Sequence, residues 1–151
     1  MTVNERVTLV LTNATAGATI AQTNATLTIV DNDSQFHFST DRYATNENAV
    51  YALVTVVREG GVITPASVTM FTRDGGAPTG AVFGLNYVTT ITNLNFAPGQ
   101  TFTNVQIRLI DDYVVSSNKT FYVGLSNAIG ATIGGLFTSS EVVIIESDSA
   151  A

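Results

Sequence analysis

The chain has 151 residues, of which 45% are hydrophobic and only 12% charged, and its formal net charge is −6. Scattered arginines and the single lysine, Lys119, do not form the positive cluster that nucleic-acid binding needs, so we exclude nucleic acid as a partner. The absence of cysteine excludes disulfides, thiolate metal sites and cysteine nucleophiles, and no apolar run is long enough for direct membrane insertion.

The start of the chain resembles its end, which indicates an internal repeat. Residues 11–14 (Leu-Thr-Asn-Ala) return as 125–128 (Leu-Ser-Asn-Ala), and residues 17–20 return unchanged as 130–133. An apolar-then-acidic segment ends at Asp33 and again at Asp148, and the three matches lie at offsets of 113 to 115 residues. This is the size of one β-sandwich.

The repeat predicts the domain boundaries. We expect residues 34–148 to form one complete unit, residues 149–151 a tail, and residues 1–33 the C-terminal strands of a preceding unit. Two isolated strands are marginal in water, so this segment needs partner strands from a neighbouring repeat or from an identical chain through strand addition.

Within residues 34–148, short segments rich in β-branched and aromatic residues alternate with turn-forming sequences such as Glu59-Gly60-Gly61. In chain order the predicted strands cover residues 35–38, 50–57, 67–72, 87–96, 102–109, 121–125 and 142–145. No segment has an apolar stripe at helical period with capping signals. The pattern predicts an all-β sandwich of about seven strands, with Tyr87, Ile91, Leu94 and Phe96 in the core.

No catalytic constellation is visible, and we expect no enzyme. The one histidine, His37, alternates with Phe36 and Phe38 in a predicted strand, which places it on the face away from the core. No serine lies in a G-x-S-x-G context.

Two further kinds of site are suggested by residue type. Four Asn-x-Ser/Thr sequences are candidate N-glycosylation sites, with acceptors at Asn13, Asn24, Asn32 and Asn118. The aromatic residues either pack in the core or form a sugar-binding platform; these are Tyr43, Tyr51, Tyr87, Tyr113, Tyr122, Phe71 and Phe83. Phe83 lies in a glycine-rich loop and is the one we most expect to be exposed.

Several short motifs follow one another in order: residues 84–87 (Gly-Leu-Asn-Tyr), 94–101 (Leu-Asn-Phe-Ala-Pro-Gly-Gln-Thr), 110–112 (Ile-Asp-Asp), 118–121 (Asn-Lys-Thr-Phe) and 125–128 (Leu-Ser-Asn-Ala). Together they resemble the Calx-beta domain family over residues 34–148, and residues 1–33 resemble the last third of that family. The resemblance implies an Ig-like antiparallel β-sandwich, as in sodium–calcium exchangers, integrin subunits and large bacterial surface proteins, where it often occurs in tandem.

The resemblance also implies a Ca²⁺ site at one end of the sandwich. Carried over position by position, its ligands are Glu47, Asp111, Asp112, Glu146 and Asp148. The chain departs from the family at Asn86 and Ser116, where acids are expected, and at Lys119, which replaces a glutamate; each change lowers the attraction for a divalent cation. The alternative is structural: Asp111 and Asp112 cap backbone N–H groups of a turn, and residues 31–33 form a polar junction between units.

Three functions follow as hypotheses. The first is a structural or adhesive repeat of an extracellular surface protein or filament, assembled by tandem packing or strand sharing. The second is a Ca²⁺-binding module that regulates or rigidifies its parent protein. The third is a module that binds surface glycans. A surface built from Thr, Ser and Asn with one lysine is typical of extracellular β proteins, so we expect an extracellular or cell-surface location.

Overall fold

The computed structural model describes residues 5–30 and 33–149. Within these ranges the only helical element is a 3₁₀ turn at Glu47–Ala49. The strands are β1 (Glu5–Val10), β2 (Asn24–Ile29), β3 (Ser34–Phe38), β4 (Arg42–Asn46), β5 (Tyr51–Gly60), β6 (Ala66–Arg73), β7 (Ile91–Phe96), β8 (Phe102–Arg108), β9 (Lys119–Ile129), β10 (Thr132–Ile133) and β11 (Ser139–Ile145).

The strands form three sheets. β1 and β2 pair antiparallel with each other, while the sandwich consists of a four-stranded sheet in the order β10-β3-β5-β8 and a five-stranded sheet in the order β4-β11-β9-β6-β7. The predicted all-β sandwich is confirmed. Two pairings, β10 with β3 and β11 with β4, are parallel, because the consecutive strands β3 and β4 lie in different sheets and the C-terminal segment pairs with each in turn.

The core lies between the two sandwich sheets and follows from alternation along the strands. In β5, the side chains of Ala52, Val54 and Val56 are buried while their neighbours are not. Aromatic contacts join separate segments: the Phe36 and Phe96 ring centroids lie 5.0 Å apart, and those of Tyr87 and Phe121 are stacked at 4.1 Å.

One core prediction is wrong. Ile91 is 71% exposed, and the strand predicted from residue 87 begins only at Ile91. Because strand side chains alternate between faces, Ile91 cannot share a face with Leu94 and Phe96, which contact the core. Tyr87 is buried as predicted, but it reaches the core from the loop before β7.

The loop that carries Tyr87 is held in place by a hydrogen bond from the hydroxyl of this buried side chain. The Tyr87 hydroxyl donates to Asp74 Oδ1 at 2.5 Å, and the same oxygen accepts the Phe83 backbone N–H at 2.9 Å. Burial and the neighbouring Asp74 carboxylate raise the pKa of Tyr87, so the hydroxyl keeps its proton.

Tyr87→Phe is therefore expected to lower the free energy of unfolding by about 1.5–3 kcal/mol, the usual contribution of a hydrogen bond to a charged acceptor. Ring stacking on Phe121 is retained in this variant, so the loss reports the hydroxyl alone. Urea denaturation measures it, with Tyr51→Phe, whose side chain is 44% exposed, as the control. Equal stability of the two variants would contradict the prediction.

Candidate cation site

Three chain segments carrying acidic or polar residues meet at one end of the sandwich, and strand pairing explains why. β4 runs parallel to β11, with Asn46 opposite Ile145, so the residues that follow each strand, Glu47 and Glu146, emerge at the same edge. β9 runs antiparallel to β11, which brings the loop before Lys119 to this edge as well. This same loop, which connects β8 to β9, carries Asp111 and Asp112.

Three of the predicted ligands form a compact group. Glu47, Asp112 and Asp148 each present one carboxylate oxygen, and these oxygens lie within 4.8 Å of one another. Ca²⁺–oxygen bonds of about 2.3–2.6 Å place two ligands of one ion no more than about 5 Å apart, so a single ion can contact all three.

Burial adds to the fit. Glu47 is only 4% exposed, and Asp148 Oδ2 is buried without a hydrogen-bond donor. A buried carboxylate oxygen that lacks a donor is costly unless a cation or water completes it. These donors are hard oxygens, the ligands that Ca²⁺ prefers.

The electrostatics of the group favour a cation. Burial raises the pKa of Glu47, and the charges of Asp112, Glu146 and Asp111 raise it further. A hydrogen bond from the backbone N–H of Asp112 stabilises the carboxylate and lowers this pKa in part. Burial likewise raises the pKa of Asp148, together with Asp111, Glu146 and Asp112. Among the described residues, neither of the two ion pairs, His37–Glu59 and Arg42–Glu141, involves this group.

Glu146 lies beside the group in a different setting. Its Oε2 accepts both the backbone N–H and the hydroxyl of Ser116 at 2.7 Å each, and its Oε1 accepts the Asp148 N–H at 2.8 Å. These donors, led by the Ser116 hydroxyl, lower the pKa of Glu146 to about 2. Glu146 therefore contributes negative charge and fixes the position of Asp148.

Ser116 and Asn118 both hydrogen-bond to Glu146 beside the candidate site, a role that the sequence does not predict. In the sequence, Ser116 stands out only because it replaces an acid of the family pattern, yet its hydroxyl orients Glu146. Asn118 Oδ1 accepts the Glu146 backbone N–H at 2.9 Å. No local sequence signal links residues so far apart along the chain; only the pairing of β9 with β11 brings them together.

The aspartate pair has the turn role that was the alternative to metal binding. Asp111 Oδ1 accepts the Tyr113 N–H at 3.1 Å, and Asp112 Oδ1 accepts the Val114 N–H at 2.9 Å. Asp112 also belongs to the three-carboxylate group, whereas Asp111 acts on it through its charge. The two interpretations are thus compatible for Asp112.

Two residues that depart from the family pattern, Asn86 and Lys119, have defined positions in the structure. Asn86 is buried, and its Oδ1 accepts the Val82 N–H at 3.1 Å, so this amide stabilises its own loop. Lys119 is half-buried at the start of β9 and, within the described part of the chain, forms no ion pair with the acids.

Glu47→Gln is expected to raise the melting temperature of the cation-free chain at pH 7, because the amide removes a charge that burial and three neighbouring acids oppose. A raised pKa means that the folded state binds the proton more tightly, so the destabilisation by Glu47 develops as pH rises above the ordinary value of 4.5. Thermal melts in EDTA at pH 4 and pH 7 test this. The advantage of the variant should vanish at pH 4, and a lower melting temperature at pH 7 would contradict the repulsion argument.

The glycosylation candidates are distributed over the surface. Asn13, Asn24 and Asn118 are exposed, and Asn32 lies outside the described residues. Their modification stays a prediction.

The aromatic residues divide by exposure. Tyr87 is buried, while Phe83 is 60% exposed and lines an open cleft of about 780 Å³ with Arg73 and Asp74. His37 is half-buried in β3, and its Nε2 lies 3.3 Å from Glu59 Oε1.

Comparison with known proteins gives consistent matches. The sequence profile of the Calx-beta domain matches residues 30–148. Extracellular matrix protein 3 of Lytechinus variegatus is 32% identical over 123 residues, covering 79% of this chain and 4% of that protein. Sodium/calcium exchanger 1 of Bos taurus is 29% identical over 120 residues, covering 76% of this chain and 12% of the exchanger.

Solved structures agree. The apo form of the Calx CBD1 domain has a TM-score of 0.71 and 31% identity, covering 77% of this chain and 99% of that domain. A structure described as the calcium binding domain CBD12 of CALX1.1 has a TM-score of 0.70 and 32% identity, covering 76% and 45% respectively. Within the described part of this chain, no helix is long and apolar enough to cross a membrane.

Proposed function

Because the chain belongs to the Calx-beta domain family, we propose that it is a Ca²⁺-binding module of a larger protein, with Glu47, Asp112 and Asp148 as the central ligands. The observation that carries this proposal is the group of three carboxylate oxygens within 4.8 Å, one of them on a residue only 4% exposed. Ca²⁺ would neutralise the charges that raise the pKa values of Glu47 and Asp148.

In this proposal each acid has its own role. Glu47 reaches the ion from the 3₁₀ turn after β4, Asp112 from the loop after β8 and Asp148 from the segment after β11. Glu146 and Asp111 supply further negative charge nearby. The ion would tie the C-terminal segment to two loops, which supports a rigidifying or regulatory role.

Calorimetric titration of the chain with Ca²⁺, repeated with Mg²⁺, tests the proposal. We expect saturable Ca²⁺ binding and a higher melting temperature; at a free Ca²⁺ concentration of 100 times Kd the stabilisation is about 2.7 kcal/mol. Extracellular modules bind Ca²⁺ with Kd values of about 10⁻⁴–10⁻³ M. A chain whose heat signal and melting temperature do not respond at about 10 mM Ca²⁺ does not have this function.

A second candidate is a structural or adhesive repeat of an extracellular or cell-surface protein. It is supported by the sequence repeat, by the similarity to an extracellular matrix protein and by the exposed apolar face of β1 and β2. The two functions are compatible, since Ca²⁺ at one end of a unit would stiffen an array of such units.

A further inference from the structure

The β1–β2 pair has an apolar face that packs against no core among the described residues, 5–30 and 33–149. Val7, Leu9, Leu27 and Ile29 are 42–55% exposed, and every residue of both strands is classed as exposed. Contiguous apolar surface of this kind marks an interaction site.

The pairing register of β1 and β2 reproduces that of β9 and β11. Under the sequence repeat, the pair Glu5–Ile29 corresponds to Lys119–Ile144. The pair Val7–Leu27 corresponds in the same way to Phe121–Val142, and Leu9–Ala25 corresponds to Val123–Ser140. A slip of one residue would break every one of these correspondences.

The faces correspond as well. The counterparts of Val7, Leu9, Leu27 and Ile29 are Phe121, Val123, Val142 and Ile144, and these four are at most 2% exposed in the core of the sandwich. The four apolar residues exposed on β1–β2 are therefore those whose counterparts are buried in the complete unit.

The connecting segments share unusual backbone conformations. Asn13 has φ of 59° and its counterpart Asn127 has φ of 50°, while Gly17 and Gly130 have φ of 79° and 74°. The left-handed conformation is uncommon for residues other than glycine, so its presence at both asparagines is informative.

We propose that residues 5–30 are the last two strands of a second Calx-beta sandwich, whose other strands are the partner of the exposed face. In the complete unit, β11 pairs in parallel with β4, and β9 pairs antiparallel with β6. The partner must accordingly supply a β4-like strand parallel to β2, a β6-like strand antiparallel to β1, and a sheet equivalent to β3-β5-β8 over the apolar face.

An identical chain fits this face less well. In such a chain the β4 and β6 strands are already paired with its own β11 and β9, so it would have to open its sandwich first. A preceding unit whose own last strands are residues 5–30 has no such competition. This inference deepens the repeat-module candidate and is independent of Ca²⁺ binding.

The test is a chimaera in which a second copy of residues 34–118 is placed directly before Glu5. In it, β1 and β2 follow this added segment as β9 and β11 follow residues 34–118 in the complete unit. Hydrogen exchange of the β1 and β2 amides is compared in the chain and in the chimaera, in EDTA. We expect a monomeric chimaera whose β1 and β2 amides exchange at least ~100-fold more slowly than in the chain.

Matched variants of the chimaera test which face of β1–β2 the added strands cover. Val7→Asp with Leu27→Asp, on the apolar face, should abolish the added protection, whereas Thr8→Asp with Thr26→Asp, on the opposite face, should preserve most of it. The proposal is overturned if the added residues 34–118 of the chimaera stay unfolded. It is also overturned if the β1 and β2 amides exchange as fast in the chimaera as in the chain. A stable dimer of the chain with β1–β2 protected overturns it as well, since the partner is then an identical chain. Because the readout is taken in EDTA, a failure of Ca²⁺ binding leaves it unaffected.

Discussion

Asp112→Asn is expected to weaken Ca²⁺ binding by about tenfold or more and to remove most of the Ca²⁺-dependent rise in melting temperature. The substitution takes one negative charge from a group of three carboxylates that converge on one point. The asparagine oxygen can still accept the Val114 N–H, so the turn after β8 is retained. Since Asp112 also raises the pKa of Glu47, the cation-free variant should be as stable as the parent or more stable.

Calorimetry and thermal melts with and without Ca²⁺ measure both effects. Asp41→Asn is the matched control, because it removes the same charge from an exposed side chain at the opposite end of β4. It should leave the Ca²⁺ response unchanged. If Asp112→Asn and Asp41→Asn lower the affinity equally, the effect is one of net charge and the assigned site is wrong.

Phe121→Ala is expected to lower the free energy of unfolding by about 3–5 kcal/mol, the usual cost of removing a buried phenylalanine ring. Phe121 is 0% exposed and stacks on Tyr87 at 4.1 Å, so the substitution leaves a cavity between β9 and the loop before β7. A loss of this size is a large fraction of the stability of an ordinary domain.

Val7→Ala, at the position equivalent to Phe121 in the repeat, is the comparison. Val7 is 42% exposed in this chain, so the change should cost less than about 0.5 kcal/mol. Urea denaturation of both variants measures the difference. A cost above about 1 kcal/mol for Val7→Ala would mean that β1–β2 is already buried against something in the isolated chain.

The fold could be predicted largely from the sequence because period-2 alternation and turn residues are local signals. Val54 and Val56 alternate with less buried neighbours in a run of β-branched residues, and both are buried as that pattern requires. The same alternation, applied strictly, would have excluded Ile91 from the core, since it differs in parity from Leu94 and Phe96. The parallel pairing of β4 with β11 has no local signal, because nothing in β4 says which sheet it will join.

For the candidate site, the sequence by itself determined the acidic residues and, through the family resemblance, their approximate grouping. The tertiary structure decided that Glu47, Asp112 and Asp148 converge, that Glu146 is held by Ser116, and that Asp111 contributes charge from outside the group. The sequence also determined the repeat, whereas only the structure matched its register and identified which face of β1–β2 is apolar. The physical reason is common to all of these: composition and alternation are properties of neighbouring residues, but a cation site and a strand register depend on distances between segments far apart in the chain, which pairing and packing alone fix.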